Sequence, residues 1–277
     1  MSGSPLTKSG AATPHVVQGD CKRMRSQRQS FYLLRITKRF RQPITFFNQN
    51  KPVSLLASDS GLSPTGFEDM TTALSPGAAD ALLFDLGRVV IDYDLRRTLK
   101  AWAVELGSDP HALMAKLAQD DTFHRYETGH VTDEEFFAAV RTALDLKLTD
   151  QQLRDGWNAI FIGEMPGIAP LLDRAARHLP LYALSNTNAA HIAHFSEHYA
   201  ELLVHFRELF LSSRIGMRKP HGETYDFVVK AIGIAPQRIV FFDDLAENVA
   251  AARERGLHAV QVRSSDDVAR ALDQLGL

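Results

Sequence analysis

The sequence contains a single cysteine, Cys21, among 277 residues, so an internal disulfide is excluded and a reducing compartment is favoured. No apolar run approaches the roughly 18 residues that a membrane span requires, and the N-terminus lacks the apolar segment of a secretory signal. A net charge of -2 gives no general attraction to nucleic acid or to anionic membranes. We therefore predict a cytoplasmic protein, monomeric or a small homo-oligomer, that binds neither nucleic acid nor membrane.

Residues 1–78 differ in composition from the remainder of the chain. Between Lys22 and Arg41 there are eight basic residues and no acidic one, and the segments on either side are rich in Ser, Gly, Thr and Pro. Such a composition buries too little apolar surface to fold alone, which favours disorder. We favour disorder or a translation start at Met70 over two alternatives, a basic nucleic-acid or membrane arm and an organelle transit peptide.

After residue 78 the chain alternates between apolar runs and helical patterns. The unbroken apolar run Ala81–Phe84 is typical of a buried parallel strand. Alternation of strands and helices predicts a parallel sheet with helices on both faces, a Rossmann-like, doubly wound α/β fold. Four further strands are predicted at Leu181–Leu184, Leu209–Ser212, Ile239–Phe242 and Ala259–Val262.

A helical insert interrupts this alternation, and no strand is evident between Asp94 and Glu164. Ser108 begins one helix pattern, and Thr132 and Thr149 each begin a capping box. We therefore predict a helical cap inserted after the first strand. The predicted boundaries are 94–165 for the cap, and 79–93 with 166–277 for the α/β core.

Polar residues follow the predicted strands directly, and in a parallel sheet they emerge at one edge. Crowded carboxylates repel one another unless a cation offsets them, and oxygen ligands without Cys or His suit Mg²⁺. A lysine and a hydroxyl beside them suit a phosphoryl group. Each residue alone could be a helix cap, a turn residue or a surface charge. Together they are Asp85, Ser185, Asn186, Lys219, Asp243 and Asp244.

The order of these clusters resembles the haloacid dehalogenase-like hydrolase superfamily over about residues 80–277. The helical insert resembles the cap of its first class. The segments that resemble its four motifs are Phe84–Asp92, Leu184–Asn188, Gly216–Pro220 and Val240–Asp244. With Phe123–Gly129 in the insert, they are similar to bacterial sugar-phosphate phosphatases, of which α-D-glucose-1-phosphate phosphatase is the nearest type.

This resemblance implies a Mg²⁺-dependent phosphatase acting on a small phosphorylated metabolite, a sugar phosphate such as glucose 1-phosphate. Asp85 would be the nucleophile and form an aspartyl-phosphate. Lys219 would neutralise Asp85 and the transferred group. The remaining roles implied are Mg²⁺ binding by Asp85, the Gly87 carbonyl, Asp243 and Asp244, and phosphoryl binding by Ser185 and the amide of Asn186.

One position departs from the superfamily's pattern. Its phosphatases commonly carry a second Asp two residues after the nucleophile as general acid and base, and here that residue is Gly87. Losing such a group costs about 10²–10⁴-fold in rate. The candidates to replace it are His124 and Glu127 in the insert, and Asp92. His124 is also a candidate substrate-binding residue.

Two other functions remain compatible with the sequence. A 2-haloacid dehalogenase would use Asp85 to attack carbon without metal, but the pair Asp243–Asp244 favours a metal and hence phosphate. A binding or regulatory protein that has lost turnover is the other alternative, and Gly87 is its best support.

Overall fold

The computed structural model describes residues 74–107 and 121–277. The predictions for residues 1–73 and for a helix beginning at Ser108 fall outside these residues. Within the described ranges, no helix combines the length and the apolar character needed to cross a membrane.

A five-stranded parallel sheet forms the centre of the structure, and its order is β5-β4-β1-β6-β7. Strand β1 is central and fully buried because all four of its residues are apolar. The predicted Rossmann-like fold class is confirmed. The five strands are β1 (Ala81–Phe84), β4 (Leu181–Ser185), β5 (Phe206–Leu211), β6 (Ile239–Asp243) and β7 (His258–Gln261).

Strand β5 begins three residues earlier than the apolar pattern predicted. Arg207 and Glu208 lie within it and are exposed. Polar residues are tolerated there because β5 is at the edge of the sheet, where it pairs with β4 alone.

A two-stranded antiparallel sheet lies outside the main sheet, so the prediction that residues 94–164 contain no strand is wrong. It pairs β2 (Ile91–Tyr93) with β3 (Phe161–Glu164). Each strand is too short for a periodic pattern, and β3 contains Gly163 and Glu164, residue types that are depleted in strands. Because β2 enters the helical segment and β3 leaves it, this pair joins both ends of the segment.

Four described helices lie between β2 and β3, and we call them the insert. They share a core of buried aromatic and aliphatic side chains that includes Trp102, Tyr126 and Trp157. The capping boxes predicted at Thr132 and Thr149 are present. The helices are α1 (Leu95–Leu106), α2 (Thr122–Glu127), α3 (Asp133–Leu144) and α4 (Asp150–Asn158).

The later helices connect the strands of the main sheet, and a second apolar cluster packs against β1, β4, β5 and β6. Sequence patterns did not reveal the two four-residue helices α7 and α8. The helices are α5 (Ile168–Ala176), α6 (Ala189–His198), α7 (Ala200–Leu203), α8 (Ser212–Ile215), α9 (Gly222–Ile232), α10 (Ala246–Glu254) and α11 (Ser265–Leu275).

Candidate active site

The carboxyl ends of the three central strands bring the predicted residues together. Asp85 follows β1 directly, Ser185 ends β4 and Asp243 ends β6. Their strands are immediate neighbours in register, since Phe84 pairs with both Ala183 and Phe242. All three polar side chains are buried.

Lys219 bridges two of these carboxylates. Its Nζ lies 3.0 Å from Asp85 Oδ1 and 2.6 Å from Asp243 Oδ2. The lysine is 1% exposed, so its charge is shielded from solvent and acts on these two partners at close range. Burial by itself opposes the charged ammonium, but the two carboxylates together raise the pKa of Lys219 above its ordinary value.

Asp243 is held in place from its other side. Its Oδ1 accepts hydrogen bonds from the backbone N–H of Leu245 and from Asn248 Nδ2, both at 2.9 Å. Asn248 lies in the first turn of α10, so the helix that follows β6 orients the carboxylate. Asp243 is therefore fixed before any ligand arrives.

One cationic side chain does not balance the acidic groups. Carboxylate oxygens of Asp85, Asp243 and Asp244 lie within 4.8 Å of one another. Burial raises the pKa of Asp85 to about 7, against the lowering effect of Lys219 and with further raising by Asp243 and Asp244. Burial and the neighbouring Asp243 also raise the pKa of Asp244. A cluster of carboxylates that ionises reluctantly is a place where a hard cation is stabilising.

Asn186 has a positioning role that the sequence did not predict. Its side-chain Nδ2 donates to the carbonyl of Lys219, and its Oδ1 accepts from the Lys219 N–H, both at 2.9 Å. This reciprocal pair fixes the backbone of Lys219 against the end of β4. The predicted phosphoryl contact of Asn186 uses its main-chain amide and stays a prediction.

Gly87 faces the ring of Tyr93. A Cβ at Gly87 would lie 2.7 Å from Tyr93 Cε1, closer than carbon atoms can approach without a shift. Tyr93 thus fills the space into which a side chain at position 87 would project. Burial, with a further contribution from Asp85, raises the pKa of Tyr93 to about 12, so the phenol keeps its proton.

A cavity of about 210 Å³ opens above Asp85 between the sheet edge and the insert. Its floor includes Gly87 and Ser185, with Asn186 at its side. The opposite wall carries aromatic side chains from the insert, from β3 and from α6. These are Phe123, Trp157, Phe161, His191 and Phe195.

Contacts between the insert and the core close this cavity. The rings of Trp157 and His191 stack with centroids 4.9 Å apart. Trp157 Nε1 donates to Asn188 Oδ1 at 3.3 Å, and the backbone N–H of Ala190 donates to the Tyr126 hydroxyl at 3.3 Å. The N-terminal end of α6 and its cap residue therefore contact the insert directly.

The three candidates to replace the acid missing at position 87 occupy different places. Glu127 is buried and lines the cavity with Asp85. Asp92 is half-buried and lies 3.5 Å from the Arg88 guanidinium. His124 is exposed and lines a second cleft, with Arg125, His130 and His221. The structure therefore does not bring His124 together with the other predicted site residues.

Sequence reasoning missed Tyr93 and His191 as cavity residues. Tyr93 directly follows the first motif, Phe84–Asp92, but its approach to Gly87 depends on the β2–β3 pairing, which the sequence did not reveal. His191 lies on the first turn of α6, where Asn188 caps the helix by accepting from the His191 N–H. The Asn188 cap was the sequence signal that could have identified His191, because the start of the helix fixes which residues of its first turn face the insert.

Residues 79–256 match the family described as haloacid dehalogenase-like hydrolase. This segment covers well over half of the chain. The chain belongs to this hydrolase family.

Two similar proteins each align over most of their own length with about two thirds of this chain. It is 28% identical over 196 residues to D-ribitol-5-phosphate phosphatase from Bacteroides thetaiotaomicron, covering 67% of this chain and 93% of the relative. A haloacid dehalogenase family enzyme from the same organism, solved with magnesium and inorganic phosphate, is 26% identical. Its TM-score is 0.61, with coverage of 67% of this chain and 95% of that one.

The fold is shared with a dehalogenase as well. L-2-haloacid dehalogenase from Xanthobacter autotrophicus superposes with a TM-score of 0.50 over 69% of this chain and 81% of that one, at 20% identity. At this identity the likeness shows the fold alone, because one fold hosts several chemistries.

Proposed function

We propose that this hydrolase is a Mg²⁺-dependent phosphatase that acts on a small phosphorylated metabolite through an aspartyl-phosphate on Asp85. The observation that carries the proposal is the buried Asp85–Lys219–Asp243 bridge beside Asp244, of which Asp85 lines the cavity. A sugar phosphate, such as the glucose 1-phosphate expected from the sequence, is the proposed substrate. The magnesium and phosphate complex of one relative and the ribitol 5-phosphate activity of another support it.

The residues present fit a magnesium ion. Asp85, Asp243 and Asp244 offer carboxylate oxygens within 4.8 Å of one another, and the cluster has no His or Cys ligand. The main-chain carbonyl of Gly87, which lines the same cavity, is the proposed fourth protein ligand. Bound there, Mg²⁺ would supply positive charge toward the phosphoryl oxygens.

The protein side chains then have distinct tasks. Asp85 attacks phosphorus, and Lys219 stabilises both the nucleophile and the charge on the transferred group. Ser185 and the amide of Asn186 would donate hydrogen bonds to phosphoryl oxygens. The insert would exclude water and contact the leaving group, as lids do in other enzymes.

The test is phosphate release by the full-length protein. We would assay p-nitrophenyl phosphate, glucose 1-phosphate and D-ribitol 5-phosphate, each with Mg²⁺ and with EDTA, beside Asp85→Asn. We expect metal-dependent release that Asp85→Asn reduces by at least about 10³-fold. Metal-independent chloride release from 2-chloropropionate would support the dehalogenase alternative instead. Binding of Mg²⁺ and phosphate without turnover would support a binding protein.

A further inference from the structure

The described lining of the cavity includes a carboxyl, Glu127, that the steps above leave without a task. It is contributed by α2 of the insert and is 8% exposed, although glutamate is seldom buried without a partner. It lines the same cavity as Asp85 and Ser185. A buried carboxyl that lines the same cavity as the nucleophile needs a physical reason.

The ion pair of Glu127 does not fully account for its burial. Arg218 Nη2 lies 3.1 Å from Glu127 Oε2. The geometry is not that of a hydrogen bond, however, and Oε2 has no hydrogen-bond partner among the residues that the structure describes. Leaving a buried polar atom unsatisfied costs about 1–3 kcal/mol. That cost is understandable if a ligand supplies the missing partner.

The protonation of Glu127 suits proton transfer. Burial raises its pKa above the usual range, and the charges that face it, Arg218 and Lys219, act against this rise. A carboxyl that holds its proton more readily than usual is better suited to donating that proton and taking it back than an ordinary surface carboxylate.

The other groups near the cavity are less suitable. The pKa of Tyr93 is raised to about 12, so its phenol is protonated near neutral pH and cannot accept a proton from water. Asp92 pairs with Arg88 outside the cavity, and His124 is exposed in the second cleft. Because Tyr93 fills the space at Gly87, the replacement acid must come from another part of the cavity lining, where Glu127 is the remaining carboxyl among the described residues.

We propose that Glu127 is the general acid and base of this site and replaces the carboxyl missing at position 87. The inference rests on the phosphatase function proposed above. Asp85 forms a bond to phosphorus as the bond to the leaving oxygen breaks, and Glu127 gives that oxygen its proton. Glutamate then takes a proton from the water that attacks phosphorus. The bond to Asp85 breaks, and phosphate, free Asp85 and protonated Glu127 result.

Leaving groups of different acidity test this role. p-Nitrophenolate leaves without protonation, whereas the alkoxide of benzyl phosphate requires a proton. In the full-length protein, Glu127→Gln keeps the size of the side chain but cannot donate the proton. We expect kcat/KM to fall by about 10²–10⁴-fold for benzyl phosphate and by less than about tenfold for p-nitrophenyl phosphate.

A second signature follows from the base role. With p-nitrophenyl phosphate, Glu127→Gln should release a burst of about one equivalent of p-nitrophenolate and then turn over slowly, because water lacks its base. Glu134 is an exposed carboxylate on α3, so Glu134→Gln is the matched control and should behave like wild type. Glu127→Asp should recover part of the benzyl phosphate activity.

The outcomes separate the two proposals. Equal losses on both substrates without a burst, or no loss at all, would overturn the role of Glu127 while Asp85→Asn still reports on the phosphatase. If Asp85→Asn matched wild type, or if wild type released no phosphate, the phosphatase proposal would fail and the role of Glu127 with it.

Discussion

The two sides of the cavity differ in how they are built. The sheet side is polar and tightly bonded: Lys219, Asp243 and Asn186 each make two or more short contacts with neighbouring groups. The opposite side, which we call the insert side, is a wall of aromatic rings from the insert, β3 and α6, with one carboxyl, Glu127, among them. The fixed polar side is suited to stabilising charge, and the aromatic side to shaping the space for a leaving group. Variants on each side should therefore affect different quantities.

The largest expected effect is on the sheet side, at Lys219. Lys219→Met leaves Asp85 and Asp243 buried and facing each other without their shared cation. We expect phosphate release to fall by about 10²–10³-fold and the free energy of unfolding by about 3–5 kcal/mol. Urea denaturation and the phosphate assay measure the two effects. Lys230 is an exposed lysine on α9, and Lys230→Met should change neither phosphate release nor the free energy of unfolding. An active, stable Lys219→Met protein would contradict the central role of the bridge.

The next effect lies at Gly87, where the two sides meet. Gly87→Ala places a methyl group against the Tyr93 ring, and such overpacking costs about 1–3 kcal/mol. In a Tyr93→Ala background the same change should cost little, which a double-mutant cycle in urea would show. Gly163→Ala is the control, because nothing lies within 4 Å of its Cβ position. Equal costs in both backgrounds would show that Tyr93 does not restrict position 87.

Trp157 tests the aromatic side. Trp157 and Trp102 share the insert core, but Trp157 alone of the two lines the cavity. Replacing either with Phe should lower the free energy of unfolding by about 0.5–3 kcal/mol. Only Trp157→Phe should change KM for a phosphate ester, by several-fold and with little change in kcat. If both variants changed KM equally, the aromatic wall would act through the stability of the insert and not through contact.

The smallest effect concerns the pH dependence of stability. Burial lowers the pKa of His191 to about 3, compared with about 6.5 for an unfolded chain. Between these values the unfolded state binds the extra proton, so stability rises with pH and is lost as pH falls below about 6.5. The slope from this residue is at most about 1.4 kcal/mol per pH unit. His191→Gln should have a flatter profile from pH 7 to 5, measured by urea denaturation. An unchanged slope would contradict burial of neutral His191.

The sequence predicted the sheet side far better than the insert side. An apolar strand that ends on a polar residue is a local pattern, and parallel pairing places Asp85, Ser185 and Asp243 at one edge without further information. The bridge by Lys219 forms at that edge, although the Asn186 hydrogen bonds that fix the Lys219 backbone were not predicted. By contrast, Tyr93 and His191 reach the cavity through the β2–β3 pairing and the packing of the insert. Both depend on contacts between residues far apart in sequence, which no periodic pattern reports.

The same dependence on contacts between distant residues explains why the sequence alone could not choose between Glu127 and His124 as the replacement acid. They lie three residues apart on α2, so the sequence places them on adjacent positions of one helical face. Which of them points into the cavity depends on how α2 is rotated against the core. The close approach of Gly129 to the backbone of Ser213 helps to set that rotation, since no larger residue would fit there.

The β2–β3 pair has a consequence for how such a chain can vary. It closes the insert into a loop whose two ends meet in one short ladder. The entropy of closing a loop grows only logarithmically with its length, at roughly 0.6 kcal/mol for each doubling. The stability of the main sheet therefore depends little on the number of residues between β2 and β3. Inserts of other sizes could be exchanged at this ladder while the strands that hold Asp85 and Asp243 stay unchanged.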